Sequence, residues 1–156
     1  MFRDEVSVHI DARPEEVFAL VADITRMGEW SPECYRTAWV GASTKAEPGA
    51  RFKGYNKYRR VKWSTVVEIE TAEPGKELTW AVLGTGKKRT RWSYRFAEAG
   101  GGTDVTETRE SVVEYGWPIR VITNVFMPTH DGWMKENMRQ TLERIKAAAE
   151  KNAVTV

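Results

Sequence analysis

Residues 130–151, HDGWMKENMRQTLERIKAAAEK, decide the fold. Met134, Met138, Leu142, Ile145 and Ala149 recur at spacings of four, four, three and four, which is one stripe of an α-helix. Lys135, Glu136, Arg139, Gln140, Glu143, Arg144, Lys146 and Glu150 cover the other side. Arg139–Glu143 and Lys146–Glu150 stand four apart, where opposite charges support a helix. Pro128 and Thr129 mark the start, with Thr129 a candidate cap. Such a helix is roughly 31 Å long, and its single apolar stripe has to lie on an equally long apolar surface.

The upstream sequence supplies that surface. Phe2, Val6, Val8 and Ile10 alternate with polar residues, a first strand with one buried face. Pro14, Glu15 and Glu16 suit the first turn of a helix whose apolar face is Val17, Phe18, Leu20, Val21 and Ile24. A second short helix follows from about Thr25 to Trp30, stopped by Ser31-Pro32. Six further strands are predicted: Cys34–Val40, Arg51–Tyr58, a run from Val61, a run through Leu78, Trp80 and Val82, a run through Trp92, Tyr94 and Phe96, and Thr103–Glu114. The turns between them are Glu47-Pro-Gly49, Arg59-Arg60, Glu73–Lys76, Gly84–Lys88 and Ala99–Gly102. Short connections favour an antiparallel meander. One apolar sheet face under a long amphipathic helix is a two-layer α+β arrangement.

Composition bounds the function. At 156 residues, 41% hydrophobic and 29% charged, the chain reads as one soluble domain spanning 1–156 with a single sizeable core. A net charge of +2 gives no argument for nucleic acid. Cys34 stands alone, which excludes an internal disulfide and a CxxC centre. The polar, alternating N-terminus is unlike a signal peptide. Trp117–Met127 is too short to span a bilayer, so the expected location is the cytoplasm. His9 and His130 lack ligand spacing, so neither a metal nor another cofactor is expected, and His130 reads as a surface residue. GxSxG is absent, and Gly84-Thr-Gly lacks the strand-to-helix setting of a dinucleotide fingerprint.

Four stretches carry a family resemblance: DITRMGEWSP at 23–32, GARFKGYN at 49–56, Trp63–Pro74, and Trp92–Thr108 ending in GGGTDVTET. With the element order, they resemble the polyketide cyclase/dehydrase-like branch of the START/Bet v 1-like (SRPBCC) superfamily. The resemblance implies a helix-grip fold: a seven-stranded antiparallel sheet wrapped around a long C-terminal helix, with two short helices between the first two strands. It also implies a cavity between sheet and helix that holds a lipid, a polyketide or another apolar molecule. A minority of such proteins catalyse ring cyclisation or dehydration. The resemblance carries no catalytic signature onto numbered positions.

The residues themselves suggest where a ligand would sit. Alternation places Phe52, Tyr58, Trp63, Trp80, Trp92, Tyr94 and Phe96 on the inner sheet face, with Asn56, Thr65, Thr90, Glu107, Arg109 and Ser111 among them. Aromatic walls with a few polar groups describe a small-molecule pocket, which Met134 and Met138 would roof. Glu107 and Arg109 are two apart on one strand and point the same way. They are the candidates for catalysis: proton transfer by Glu107 and carbonyl orientation by Arg109. The first expectation is a binding protein for a small apolar or amphipathic molecule, monomeric or homodimeric. The alternative is a polyketide cyclase or dehydratase. A third reading is an interaction module using the basic end of the sheet, where Lys57, Arg59, Arg60, Lys62, Lys87, Lys88 and Arg89 gather. The Trp117–Met127 segment leaves from that end as an apolar lid, compatible with at most transient contact with an acidic membrane.

Overall fold

The computed structural model of the chain describes residues 2–84, 87–114 and 116–154. The tip of the expected Gly84–Lys88 hairpin, Thr85 and Gly86, and Tyr115 lie outside the described residues. Seven strands run in chain order as β1 (Arg3–Ile10), β2 (Cys34–Trp39), β3 (Arg51–Tyr58), β4 (Val61–Glu73), β5 (Glu77–Gly84), β6 (Lys87–Ala99) and β7 (Gly102–Ser111). Their order in the sheet is β1-β7-β6-β5-β4-β3-β2, and every neighbour is antiparallel. Helix α1 (Pro14–Ala22), a 3-10 turn (Ile24–Arg26) and α2 (Met27–Trp30) link β1 to β2. Helix α3 (Trp117–Phe126) follows the last strand, and α4 (His130–Val154) ends the fold. This is the expected α+β helix-grip.

Local chemistry sets the corners. The Glu73–Lys76 turn closes with Lys76 N–H donating to Glu73 O at 3.0 Å. Pro74 pre-sets its first central position, and Gly75 holds φ +72 at the second, as a type II turn requires. Gly28 answers a close approach: a β-carbon there would sit 2.5 Å from the Tyr35 carbonyl oxygen, so only glycine lets α2 lie on β2.

Curvature comes from register shifts at Cys34/Arg36, Ile69/Thr71 and Val82/Leu83. Each added residue bends its strand and increases twist. The curled sheet meets α4 closely only along the helix's C-terminal half. There Leu142, Ile145 and Ala149 join Val17, Phe18, Val21 and Ile24 and the sheet residues Ile10, Ile69, Leu78, Phe96 and Val105 in one core. Phe18 meets Phe96 edge-on, with centroids 5.6 Å apart. Lys146 Nζ donates to His9 O at 2.8 Å, and Asp11 N–H donates to Glu150 Oε1 at 3.0 Å, tying the same half of α4 to β1. Arg139–Glu143 and Lys146–Glu150 form as i,i+4 pairs.

The outer face of the sheet is covered by charge. Arg3 pairs with Glu110, Arg91 with Glu110 and Glu70, Lys88 with Glu70, and Arg51 with Glu68. The ladder crosses β5 at Ala81, whose small side chain leaves Arg91 room to reach Glu70. Lys88 therefore belongs to this ladder and not to a free basic rim. Pairs of this kind contribute roughly 0–1 kcal/mol each.

Replacing Leu142 by Ala should cost about 2–5 kcal/mol in chemical denaturation, because the buried site between α1 and the sheet cannot collapse around a smaller side chain.

Candidate ligand site

Toward its N-terminus α4 stands clear of the sheet, and a cavity of about 970 Å³ fills the gap. Its floor is the inner sheet face: Phe52, Asn56, Trp63, Thr65, Trp80, Trp92, Tyr94, Glu107 and Arg109. Its roof is Met134, Asn137 and Thr141 of α4, at i, i+3 and i+7. The aromatic wall is continuous. Phe52 meets Trp80 edge-on at 5.9 Å, and Trp80 meets Tyr94 at 5.4 Å.

Two residues expected at the site lie elsewhere. Tyr58 does not line the cavity; its hydroxyl donates to Pro128 O at 3.1 Å and lies 3.0 Å from Thr129 Oγ1, clamping the start of α4. Met138 is buried but off the cavity wall, because the face of α4 that roofs the hollow is turned toward Asn137 and Thr141. Thr129 spends its hydroxyl on Tyr58 rather than on the helix, and its φ of +68 sits outside the usual capping geometry. Trp30 packs in the core, and Met27 reaches the cavity from that side instead.

Glu107 is the unusual group. It is 2% exposed, and its Oε1 accepts a 2.6 Å hydrogen bond from the Tyr94 hydroxyl. Its Oε2 has no partner. Burial pushes its pKa up to about 8, against the opposing pull of the Tyr94 bond. Near neutrality the carboxyl therefore holds its proton. The Tyr94 hydroxyl is driven well above its ordinary range, mainly by its own burial and then by the nearby carboxyl.

Arg109 does not partner Glu107. Its Nη1 donates to Asp4 Oδ2 and its Nη2 to Asp131 Oδ1, both at 3.1 Å, and its guanidinium lies 4.0 Å from the Phe2 ring. It thereby fastens the first turn of α4 to β7 and β1. The expectation that Arg109 is free to orient a carbonyl does not survive these bonds.

Several lining residues escaped the sequence reading. His130, expected at the surface, is half-buried between Tyr58, Trp63 and Trp133, and its Nε2–H donates to Glu33 Oε2 at 2.9 Å. Both members of this pair line the cavity. The pairing spans 97 positions, so no local spacing could announce it. Asn137 and Thr141 carried a usable signal, since they continue the i, i+3, i+7 series from Met134. Cys34 also lines the cavity, but burial pushes its thiol up to about 11, which leaves it protonated and a poor nucleophile.

The mouth differs from the expected apolar lid. The segment is a helix, α3, and it turns Ile119, Arg120, Thr123 and Asn124 toward the cavity. Trp117, Val121, Ile122, Val125 and Phe126 of the same helix do not line it.

A curled antiparallel sheet gripping a terminal helix over a ring-lined hollow defines a START-like, Bet v 1-like domain. The chain belongs to the polyketide cyclase/dehydrase and lipid transport family, whose sequence profile matches residues 1–150. Solved structures agree. The polyketide cyclase-like protein Cgl2372 from Corynebacterium glutamicum is 30% identical, with a TM-score of 0.54 over 98% of this chain and 92% of that one. DR_A0006 from Deinococcus radiodurans is 17% identical, with a TM-score of 0.68 over 97% and 99%. The di-domain ARO/CYC StfQ of the steffimycin biosynthetic pathway is 12% identical, with a TM-score of 0.73 over 97% of this chain and 51% of that one. The two more distant likenesses speak to the fold alone. No curated protein matches the sequence.

The Tyr94 bond is the one interaction that favours ionised Glu107. Tyr94→Phe should therefore raise the Glu107 pKa further above about 8, read from the carboxyl carbon in an NMR titration. Linkage gives a second readout. The folded pKa lies above the ordinary glutamate value of 4.5, so the stability this proton confers is complete below pH 4.5 and lost as pH rises through about 8. Glu107→Gln should flatten that decline in denaturation curves recorded across the same window.

Proposed function

We propose that the domain binds one small apolar or amphipathic molecule, of lipid-like or polyketide-like skeleton, between the sheet and α4. The supporting observation is the cavity itself: about 970 Å³ walled by indole, phenol and phenyl rings, in a fold that packs solidly under the C-terminal half of α4. A hollow of that size suits a drug-sized or acyl-chain ligand. Rings bind such a ligand through apolar area, at about 25 cal/mol per Å² removed from water. Polar groups interrupt the apolar wall and can orient a ligand within it. The protonated Glu107 carboxyl can donate to a ligand oxygen and would meet its own unsatisfied hydrogen-bonding need in doing so. Asn56, Thr65, Asn137 and Thr141 offer weaker partners around it.

A second reading rests on the same carboxyl. A buried acid that titrates near neutrality suits general acid–base catalysis, so a polyketide-like substrate could be cyclised or dehydrated here with Glu107 passing the proton. Arg109 takes no part in this version, being held by Asp4 and Asp131. Glu107→Gln would then abolish turnover while sparing binding. Unchanged turnover would remove Glu107 as the acid.

The binding proposal is tested with a panel of medium-chain fatty acids, a sterol and a planar aromatic polyketide. Trp63, Trp80 and Trp92 line the site, so a true ligand should change intrinsic fluorescence saturably at one equivalent per chain. Thr65→Phe, which pushes a ring into the cavity, should weaken binding by about tenfold or more without loss of fold. A flat response across the panel, with no small molecule co-purifying in native mass spectrometry, would overturn the proposal.

A further inference from the structure

Helix α3 is amphipathic the wrong way round for a lid. Residues Ile119, Arg120, Thr123 and Asn124 form the side that borders the cavity, polar but for Ile119. The opposite side carries Trp117, Val121, Ile122, Val125 and Phe126, and none of these is buried. Trp117 is 77% exposed and Phe126 66%. Most of the large exposed hydrophobics of the described residues are gathered on this one helix. A contiguous apolar face of this kind on a water-soluble domain marks an interaction site. Thr123 donates its hydroxyl back to Ile119 O and Arg120 O, so even the polar side is partly satisfied within the helix.

The surroundings select the partner. Lys57, Arg59, Arg60, Lys62, Lys87 and Arg120 are all exposed at the same end of the sheet. Lys57 and Lys62 flank the ring of half-exposed Tyr35, with their ammonium nitrogens 5.7 and 5.9 Å from its centroid. Among acids at this end, Glu114 is exposed, Asp131 is held by Arg109, and Glu33 is paired with His130. An apolar helix face at the same end of the sheet as a group of exposed cations matches the headgroup boundary of an anionic bilayer. A second copy of the chain fits worse, because joining two such faces would bring the two sets of cations together.

We infer that α3 is an interfacial docking helix that seats the mouth of the cavity on an anionic lipid surface. The outward apolar residues enter the acyl boundary, and the cations meet lipid phosphates and carboxylates. The inward side of the same helix is part of the cavity wall, so docking presents the mouth directly to the lipid. Exchange of an apolar ligand across that mouth rests on the binding proposal above; the docking itself rests only on the helix face and its cations.

The test is co-sedimentation of the full chain with vesicles of phosphatidylcholine alone or with phosphatidylserine added, at low and high salt. Wild type should pellet with the phosphatidylserine vesicles at low salt, and each rim cation replaced by Gln should weaken that by roughly fivefold. Val121→Asp/Val125→Asp should abolish pelleting. Because neither residue lines the cavity, that variant should keep the fluorescence response to whichever panel ligand the wild type binds. The inference is overturned if wild type stays in solution with both vesicles, or if the double variant pellets as well as wild type. It is also overturned if the apolar face instead doubles the solution mass in a way the double variant reverses. An absent fluorescence response in wild type would strike the binding proposal and leave the vesicle result standing.

Discussion

A straight helix cannot follow a curled sheet along its whole length. The 25 residues of α4 have to be gripped at one end and released at the other. Here the grip is Leu142, Ile145 and Ala149, pressed into the core that α1 seals. The released end is not left loose. Tyr58 clamps Pro128 and Thr129, Arg109 holds Asp131, and Glu33 holds His130. These polar fastenings work at the rim, where apolar packing is missing, and they keep the hollow beneath them open.

That division explains which parts of the molecule were legible in the sequence. Period-two alternation identified the inner face of β3 to β7, including Glu107 and Arg109 on β7, but not that of β2, which brings Cys34 to the cavity. It succeeded because the extra residue on β4 lies beyond Trp63 and Thr65, and the one on β6, Arg89, lies before Trp92 and Tyr94, so neither falls within a run of wall positions. The stripe in residues 130–151 likewise gave α4 from periodicity alone. What stayed illegible depended on geometry between distant residues. Arg109 looked available until Asp4 and Asp131, 105 and 22 positions away, came to meet it. His130 looked exposed because its partner Glu33 arrives from the far side of the chain. The stripe also named Met138 as roof, since a count of apolar positions cannot tell which edge of a helix overlooks a void. Asn137 and Thr141 occupy that edge because a cavity wall tolerates polarity that a packed core does not.

Glu107 shows how the cavity and the fold depend on one another. In a packed core, a carboxyl with one partner and one bare oxygen would be a standing cost, and selection for stability would favour Gln or an apolar residue. Protonation lowers the cost by removing the charge, and the Tyr94 hydroxyl meets half of what remains. The other half is left open. A molecule that fills the hollow and offers an oxygen would both bury the rings and complete the carboxyl, so ligand binding and fold stability act on the same atoms. This coupling is common to the carrier and the enzyme readings, which differ only in whether the proton leaves Glu107.

The exterior divides as sharply as the interior. The convex sheet face is closed by its ion-pair ladder from Arg3 to Arg51, which spends its charges on one another and offers a partner no apolar ground. The charges at the open end of the sheet are different in kind. Arg60 and Lys87 stand exposed there. Apolar area and exposed cations therefore share one end of the sheet, the end at which α3 borders the cavity. A carrier of apolar molecules faces the problem that its cargo is insoluble in the water between membrane and pocket. Placing the lipid-facing helix in the wall of the pocket itself shortens that aqueous path to the thickness of one helix, about 10 Å.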